Sequence, residues 1–219
     1  MKRINEVKIN FSRVLVLSPH TDDGHLGAGG TISRFIEDGK EVFYLVFSAS
    51  EKSVPDGYPK NILEKECEKA NEILRIPSKN RIMLHYEVRE FPLHRQEILE
   101  DMIKIKESID PDLVLVPSSM DVHQDHQVIQ IEGLRAFKTS SSIWGYEHPW
   151  NNLTFTTDVF VVLEKRHVHK KIEALRRYKS QDDKPYFKEE YLWGLVRTRG
   201  GQIGFSLAET FELLRLLFK

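Results

Sequence analysis

Val14-Leu15-Val16-Leu17-Ser18-Pro19-His20-Thr21-Asp22-Asp23 runs from an unbroken apolar tetrad straight into a histidine and two aspartates. Residues 13–18 read as a strand buried on both faces. A short apolar run bounded by turn residues suits a parallel sheet covered by helices. The stretch has a counterpart further on: Leu113-Val114-Leu115-Val116-Pro117, then His123-Gln124-Asp125-His126. Each is a buried strand that ends by spilling His and Asp into a loop. If both strands lie in one parallel sheet, both clusters emerge at one edge, outside the carboxyl ends of the strands. Open α/β sheets place their active sites there.

Between and beyond these anchors, strand and helix signals alternate. Ala28, Ile32, Phe35 and Ile36 fall at helical spacing, and Gly39 closes that helix. Phe43 to Phe47 is a second strand, and the Ser, Pro and Gly residues of Ser48 to Lys60 predict a loop. Leu63, Cys67, Ala70 and Leu74 mark a second helix, and a short strand follows at about 81–84. Ile98 to Ile109 is a third helix, stopped by Asp110-Pro111. Val128, Ile131 and Leu134 open a fourth after residues 112–117. Past about residue 143 the pattern is irregular. Val159 to Leu163 predicts a strand, Val168, Ile172 and Leu175 a helix face, and Phe211 to Leu217 a terminal helix. The expected architecture is Rossmann-like α/β: a mostly parallel sheet with helices on both faces, one domain over residues 1–219.

Composition narrows the function. The 219 residues suffice for a full core, with 40% hydrophobic and 30% charged side chains. A net charge of −1 offers no basic bulk to nucleic acid or an anionic membrane. No run approaches the roughly 18 apolar residues of a membrane-spanning helix. Met1-Lys2-Arg3-Ile4-Asn5-Glu6 lacks the apolar stretch of a signal peptide. The one cysteine, Cys67, has no partner for an internal disulfide, and a cytoplasmic location is expected. Assembly into homo-oligomers is left open.

Imidazole and carboxylate together suit a divalent metal such as zinc. His20 and Asp23, three residues apart past a strand, can aim at one point if the turn is tight. With one more ligand they would leave a position open for water, the mark of a catalytic rather than a structural zinc. Asp22, between them, is then placed to act as base. The second cluster offers two histidines. His126 abuts a helix start and is the better-fixed ligand. His123, protonated and held by Asp125, can steady negative charge on a substrate oxygen. The opposing reading makes these loop residues simple helix caps. That explains either cluster alone better than both at matching strand ends.

These same residues resemble the PIG-L/LmbE-like de-N-acetylases. Pro19-His20-Thr21-Asp22-Asp23 with Gly27, Gly29 and Gly30 is similar to the family's N-terminal signature, and His123-Gln124-Asp125-His126 to its second motif. Tyr178-Lys179-Ser180-Gln181, Arg199-Gly200-Gly201, Ala208-Glu209 and Phe211 resemble its C-terminal segments. The resemblance implies a Rossmann-like fold, a divalent ion (usually zinc), and removal of acetyl from an N-acetylated amino sugar or sugar conjugate. It implies His20, Asp23 and His126 as ligands and Asp22 as base. It also implies that His123 stabilises the oxyanion and that Asp125 orients His123. One departure stands out. Many relatives carry glutamate directly after the paired aspartates, where this chain has Gly24 and then His25. A carboxylate that tunes the metal from behind its ligands is thereby missing from that position.

Other residues carry less. Gly27-Ala28-Gly29-Gly30 does not match the dinucleotide fingerprint and reads as close packing of a helix on the sheet. His85, His94, His167 and His169 read as solvated surface residues. Trp144-Gly145-Tyr146-Glu147-His148-Pro149-Trp150 mixes aromatic and polar groups, which suits a sugar ring as well as a hydrophobic plug. Arg89 suits an anionic group or an ordinary ion pair. The rival functions are a metal-dependent hydrolase of another amide or ester, and a non-catalytic sugar- or nucleotide-binding protein on the same fold. The presence of Asp22 beside the ligands argues against the second, since binding alone needs no base.

Overall fold

The computed structural model describes residues 11–218. The stretch Met1 to Glu6, read above for a signal peptide, lies outside them. The apolar runs become strands: β1 (Arg13–Ser18), β2 (Glu41–Val46), β3 (Arg81–Met83), β4 (Leu113–Pro117) and β5 (Ser142–Tyr146), all paired in parallel. β6 (Val159–Val162) and β7 (Ala208–Arg215) extend the sheet, with β7 antiparallel to both β5 and β6. The order across the seven strands is β3-β2-β1-β4-β5-β7-β6.

The helices are α1 (Asp23–Glu37), α2 (Ile62–Ile73), α3 (Arg95–Ile109), α4 (Gln124–Phe137), α5 (Lys165–Leu175) and α6 (Glu189–Gln202). Side chains alternate along each central strand and so feed two cores. Val14, Val16, Leu113 and Leu115 pack with α1, α2, α5 and α6. Leu15, Leu17, Val114 and Val116 pack with α3 and α4. With both faces buried, the strands need apolar residues at every position, which is why they read as continuous runs.

Chain order explains where a site can form. After β1 the chain builds β2 and β3 to one side, then returns to place β4 on β1's other flank. The carboxyl ends of β1 and β4 therefore diverge into a crevice, the switch point of a doubly wound sheet. Gly27 lets α1 lie close to that crevice. A Cβ at Gly27 would stand 2.4 Å from Tyr146 Cδ2, and the Tyr146 hydroxyl donates to the Leu17 carbonyl at 2.9 Å.

Three features depart from the sequence reading. Phe211 to Leu217 is not a terminal helix: Ala208–Arg215 is β7, buried at its first four residues and alternating thereafter. Its apolar residues fit either period, and the open edge of β5 offers the backbone partners that decide. α6 escaped notice because its buried stripe, Leu192, Val196 and Gly200, ends in a glycine and carries only two apolar side chains. His167 is not a surface residue. It is buried in the first turn of α5, where Nδ1 accepts from the Glu164 amide at 3.1 Å and Nε2 lies 3.2 Å from Glu37.

Candidate active site

Past β1 the chain turns tightly around one hydroxyl. Ser18 Oγ donates to the His20 carbonyl at 2.5 Å and accepts from the Gly24 amide at 2.9 Å. The His20 amide donates to Asp23 Oδ2 at 2.8 Å. The turn thus brings the His20 and Asp23 side chains to the same point. Past β4, Asp121 accepts from the His123 amide at 2.9 Å, and His123 caps α4 by accepting from the Asp125 amide at 3.2 Å. His126 follows in the first turn and points back into the crevice.

There the two loops converge. His20 Nδ1 lies 3.1 Å from Asp23 Oδ2, His126 Nε2 lies 3.2 Å from the same oxygen, and the two nitrogens are 3.3 Å apart. Donors held about 2.0–2.1 Å from a tetrahedral ion stand roughly 3.3–3.4 Å from one another. The triangle has the size of a three-donor face. Both histidines also spend their outer nitrogens on carboxylates: His126 Nδ1 on Asp121 at 2.7 Å, and His20 Nε2 on Asp125 at 2.9 Å. Carboxylates behind metal-ligating histidines fix ring orientation and raise basicity. Burial pulls His126 down, but Asp23 and Asp121 outweigh it and hold the imidazole up at about 10. The cluster is built to surround positive charge, and the donor set fits a divalent ion.

Two further groupings bring donor atoms within 4.8 Å of one another: His20, His123 and His126, and Asp23, His126 and His148. His148 is less suited. Its Nε2 donates to the Asp23 carbonyl at 3.0 Å, and its Nδ1 faces Asp121 at 3.4 Å.

Asp22 stands at the N-cap of α1 but makes no capping hydrogen bond. Its carboxyl lines a cavity of about 220 Å³ together with His20, Asp23, His123 and His126. Burial and the neighbouring Asp23 raise its pKa, against the opposing pull of Lys184 and His20. A carboxylate displaced toward neutrality is a better proton acceptor. His123 lines the same cavity. Burial and the nearby His126 and His20 lower its pKa to about 4, against Asp125 and Asp23. The sequence reading made it a cation held by Asp125; these surroundings instead favour the neutral ring. With Nδ1 occupied as an acceptor, its Nε2 carries the N–H.

Asp125 itself takes another partner. Its carboxylate accepts from His20 Nε2 and, at 2.7 Å, from the Arg89 amide, while only its backbone meets the His123 ring. Arg89 owes its place to a left-handed turn, φ 72°, that aims its amide inward and leaves its side chain on the cavity rim. Asp121 went unremarked in the sequence. Its signal was its position five residues before His126, in the loop that carries the second cluster.

The segment Trp144 to Trp150 divides. Trp144 and Tyr146 are buried in β5, and Glu147 forms an ion pair with Arg199. Trp150 does line the cavity, but His148 stacks on it at 4.7 Å and Tyr186 at 4.0 Å. Tyr186 and Lys184, from the segment before α6, complete that wall, and nothing in the sequence had marked either. Gly24 is explained by packing. A Cβ there would stand 2.7 Å from Val16 Cγ1 and 2.8 Å from the Tyr44 ring. Asp121 and Asp125 supply the carboxylates behind the histidines from elsewhere.

A three-donor cradle with a carboxylate beside it, at the switch point of a doubly wound sheet, fits the class of hydrolases that work through a divalent ion. The comparisons with known proteins say which. The family described as PIG-L, GlcNAc-PI de-N-acetylase, matches residues 15–137, more than half of the chain, and the chain belongs to that family. It is 27% identical over 172 residues to the uncharacterised deacetylase YaiS of Escherichia coli K12, covering 76% of this chain and 90% of that protein. It is 26% identical over 247 residues to the diacetylchitobiose deacetylase of Thermococcus kodakarensis, covering 99% of this chain and 88% of that protein. The fold is shared with the N,N′-diacetylchitobiose deacetylase from Pyrococcus horikoshii, with a TM-score of 0.80, 23% identity, and coverage of 94% and 84% of the two chains.

Proposed function

We propose that the protein removes the acetyl group from an N-acetylated amino sugar or its conjugate, with a divalent ion, zinc foremost, held by His20, Asp23 and His126. The observation that carries this reading is the triangle of donor atoms 3.1–3.3 Å apart with Asp22 beside it in one cavity. When bound, the ion supplies Lewis acidity toward the amide carbonyl and makes a water more acidic. Asp22 would take a proton from the attacking water as it adds to the acetyl carbon. The neutral His123 offers its Nε2–H to the oxygen on which negative charge develops. Asp22 then returns its proton to the sugar nitrogen, and acetate and a free amine depart. Asp125 and Asp121 hold the two histidine rings in place. Tyr186 presents an apolar wall, and the Arg89 and Lys184 side chains lie on the rim. A cavity of about 220 Å³, below the roughly 300–1,000 Å³ of drug-sized pockets, suits one ring at a time.

No helix among the described residues is long and apolar enough to cross a membrane. Net charge and cysteine content support a cytoplasmic location and a small-molecule substrate. The test is metal analysis of the purified protein, followed by a screen of N-acetylated sugars for released amine and acetate. About one ion per chain is expected. Asp22→Asn should keep the ion and lose roughly 10²–10⁴-fold in turnover. Full metal occupancy in His20→Ala, Asp23→Ala and His126→Ala alike would overturn the ligand set. Turnover of an ester or another amide with none on N-acetyl sugars would overturn the substrate class.

A further inference from the structure

Thr21 separates His20 from Asp22, and its backbone carbonyl is held in an unusual way. Two buried tyrosine hydroxyls donate to it: Tyr178 at 2.6 Å and Tyr44 at 3.2 Å. Both side chains are 1% exposed. They come from separate parts of the fold. Tyr44 stands in β2, and Tyr178 lies just past α5, in a segment that α2 pins down. The buried Glu66 of α2 accepts from the Ser180 amide at 3.0 Å and from the Ser180 hydroxyl at 2.6 Å.

The hydroxyls are themselves anchored. Ser18 Oγ, the hydroxyl about which the loop turns, spends its own proton on the His20 carbonyl. Tyr44, 3.0 Å away, therefore shares its one proton between Ser18 Oγ and the Thr21 carbonyl, and it accepts from the His25 amide at 3.2 Å. His25 stacks on the Tyr44 ring at 4.3 Å. Its Nδ1 lies 2.9 Å from the Tyr178 hydroxyl and its Nε2 3.0 Å from the Asn71 side-chain oxygen Oδ1. A neutral imidazole has one N–H. The Asn71 oxygen can only accept, so that N–H belongs at Nε2, and Nδ1 is left as a second acceptor beside the Tyr178 hydroxyl, whose proton goes to the nearer Thr21 carbonyl. Gly24 is part of the same device. A side chain at 24 would begin 2.9 Å from the Tyr44 hydroxyl, so its absence leaves Tyr44 room to reach the loop.

We propose that Tyr44 and Tyr178 are positioning residues for Asp22: together they clamp the Thr21 carbonyl and so fix the peptide plane from which the Asp22 side chain departs. The need for such a clamp follows from Asp22's own situation. It caps α1 in position only, with no side-chain bond to the helix that would hold it. A general base must point at its proton within a fraction of an ångström, and misplacement by about 1 Å can cost on the order of 10²-fold. The peptide before Asp22 is therefore where rigidity has to be supplied. The role of Asp22 in this inference rests on the deacetylase reading; the clamp itself does not.

The test uses Tyr178→Phe and Tyr44→Phe in the full chain, each also combined with Asp22→Asn. Amide hydrogen exchange over residues 20–24 should accelerate about 10-fold in Tyr178→Phe while the central strands keep wild-type protection. With N,N′-diacetylchitobiose or N-acetylglucosamine as substrate and the ion saturating, kcat should fall about 10-fold with little change in KM. In the Asp22→Asn background the same tyrosine change should leave the residual rate untouched, because the group being aimed is gone. Tyr44→Phe, with the longer bond, should show the same pattern more weakly. Unchanged exchange at residues 20–24 in both tyrosine variants would overturn the clamp. An equal loss of rate with and without Asp22→Asn would overturn the positioning role. If the wild type releases no acetate from either sugar, the kinetic arm uses the N-acetylated sugar or conjugate that the screen identifies; if the screen identifies none, the deacetylase reading fails, and the exchange data alone then decide whether the clamp exists.

Discussion

Asp121→Asn tests what a carboxylate behind a proposed metal ligand, His126, is worth. Asp121 is 1% exposed. One of its oxygens faces His126 Nδ1 at 2.7 Å and His148 Nδ1 at 3.4 Å; the other accepts from the His123 amide at 2.9 Å. Burial works against the charge, yet His126 and His148 hold the carboxyl well below the usual range. Asparagine keeps the shape but has only one acceptor for these two donors, and it brings no charge. The His126 ring loses either its orientation or its basicity. Losing such a partner lowers metal affinity by about 10–100-fold, which is about 1.4–2.7 kcal/mol. An ion that binds only the folded chain confers its binding energy as stability. At a fixed excess of free metal the variant should lose that same amount. For a chain of this length the loss is about 3–11 °C of the metal-induced rise in Tm. Affinity is read by competition with a chromophoric chelator, and Tm by melts with and without the ion, so that any change in the metal-free protein is subtracted. Wild-type affinity with a wild-type metal-induced shift would refute the reasoning. So would abolition of binding, which would make Asp121 a ligand itself.

Three other outcomes follow from the geometry. His123→Gln should lower kcat while leaving the ion bound and the alkaline limb of the pH–rate profile where it was, since a group near 4 carries no proton to lose there; a moved limb would show that His123 works as a cation. His25, lowered to about 4 by burial against a hydrogen bond with Asn71, stays neutral in the fold at pH values where the unfolded chain takes a proton. Stability should therefore fall as pH drops from about 6.5 toward 4, by up to roughly 3 kcal/mol from this residue, and a urea midpoint that stays flat across that window would contradict it. Gly27→Ala forces a methyl to within 2.4 Å of the Tyr146 ring and should cost about 1–3 kcal/mol in urea unfolding; a neutral change would mean that α1 can retreat from β5.

The central half of the fold was legible because strands buried on both faces leave no choice of residue. Leu15 and Leu17 serve one core and Val14 and Val16 the other, so the run is continuous, and helical spacing resumes as soon as the chain leaves the sheet. Legibility falls toward the antiparallel edge. β7 is buried on both faces for four residues and on one face after that, so neither a continuous run nor a clean alternation marks it. Its Glu212 explains part of the ambiguity. That carboxylate accepts from the Ser119 amide at 2.8 Å and from the Ser118 hydroxyl at 3.0 Å, a contact across 93 and 94 positions that no local pattern encodes.

The site shows the same limit more sharply. That His20, Asp23 and His126 meet follows from two strand ends at one switch point, which apolar runs alone can place. Which carboxylate stands behind which histidine does not follow. Asp125 is two residues from His123 and 105 from His20, and its carboxylate goes to His20 at 2.9 Å. The helix decides this. The first turn of α4 commits the Asp125 amide to the His123 ring, and the side chain then projects across the crevice toward the end of β1. Asp121, left behind in the loop, takes His126 instead. Each carboxylate thus supports a histidine that its nearest neighbour in the chain does not supply. Pairing each carboxylate with the histidine nearest to it in sequence, Asp125 with His126 and Asp121 with His123, would leave His20 without a carboxylate behind it.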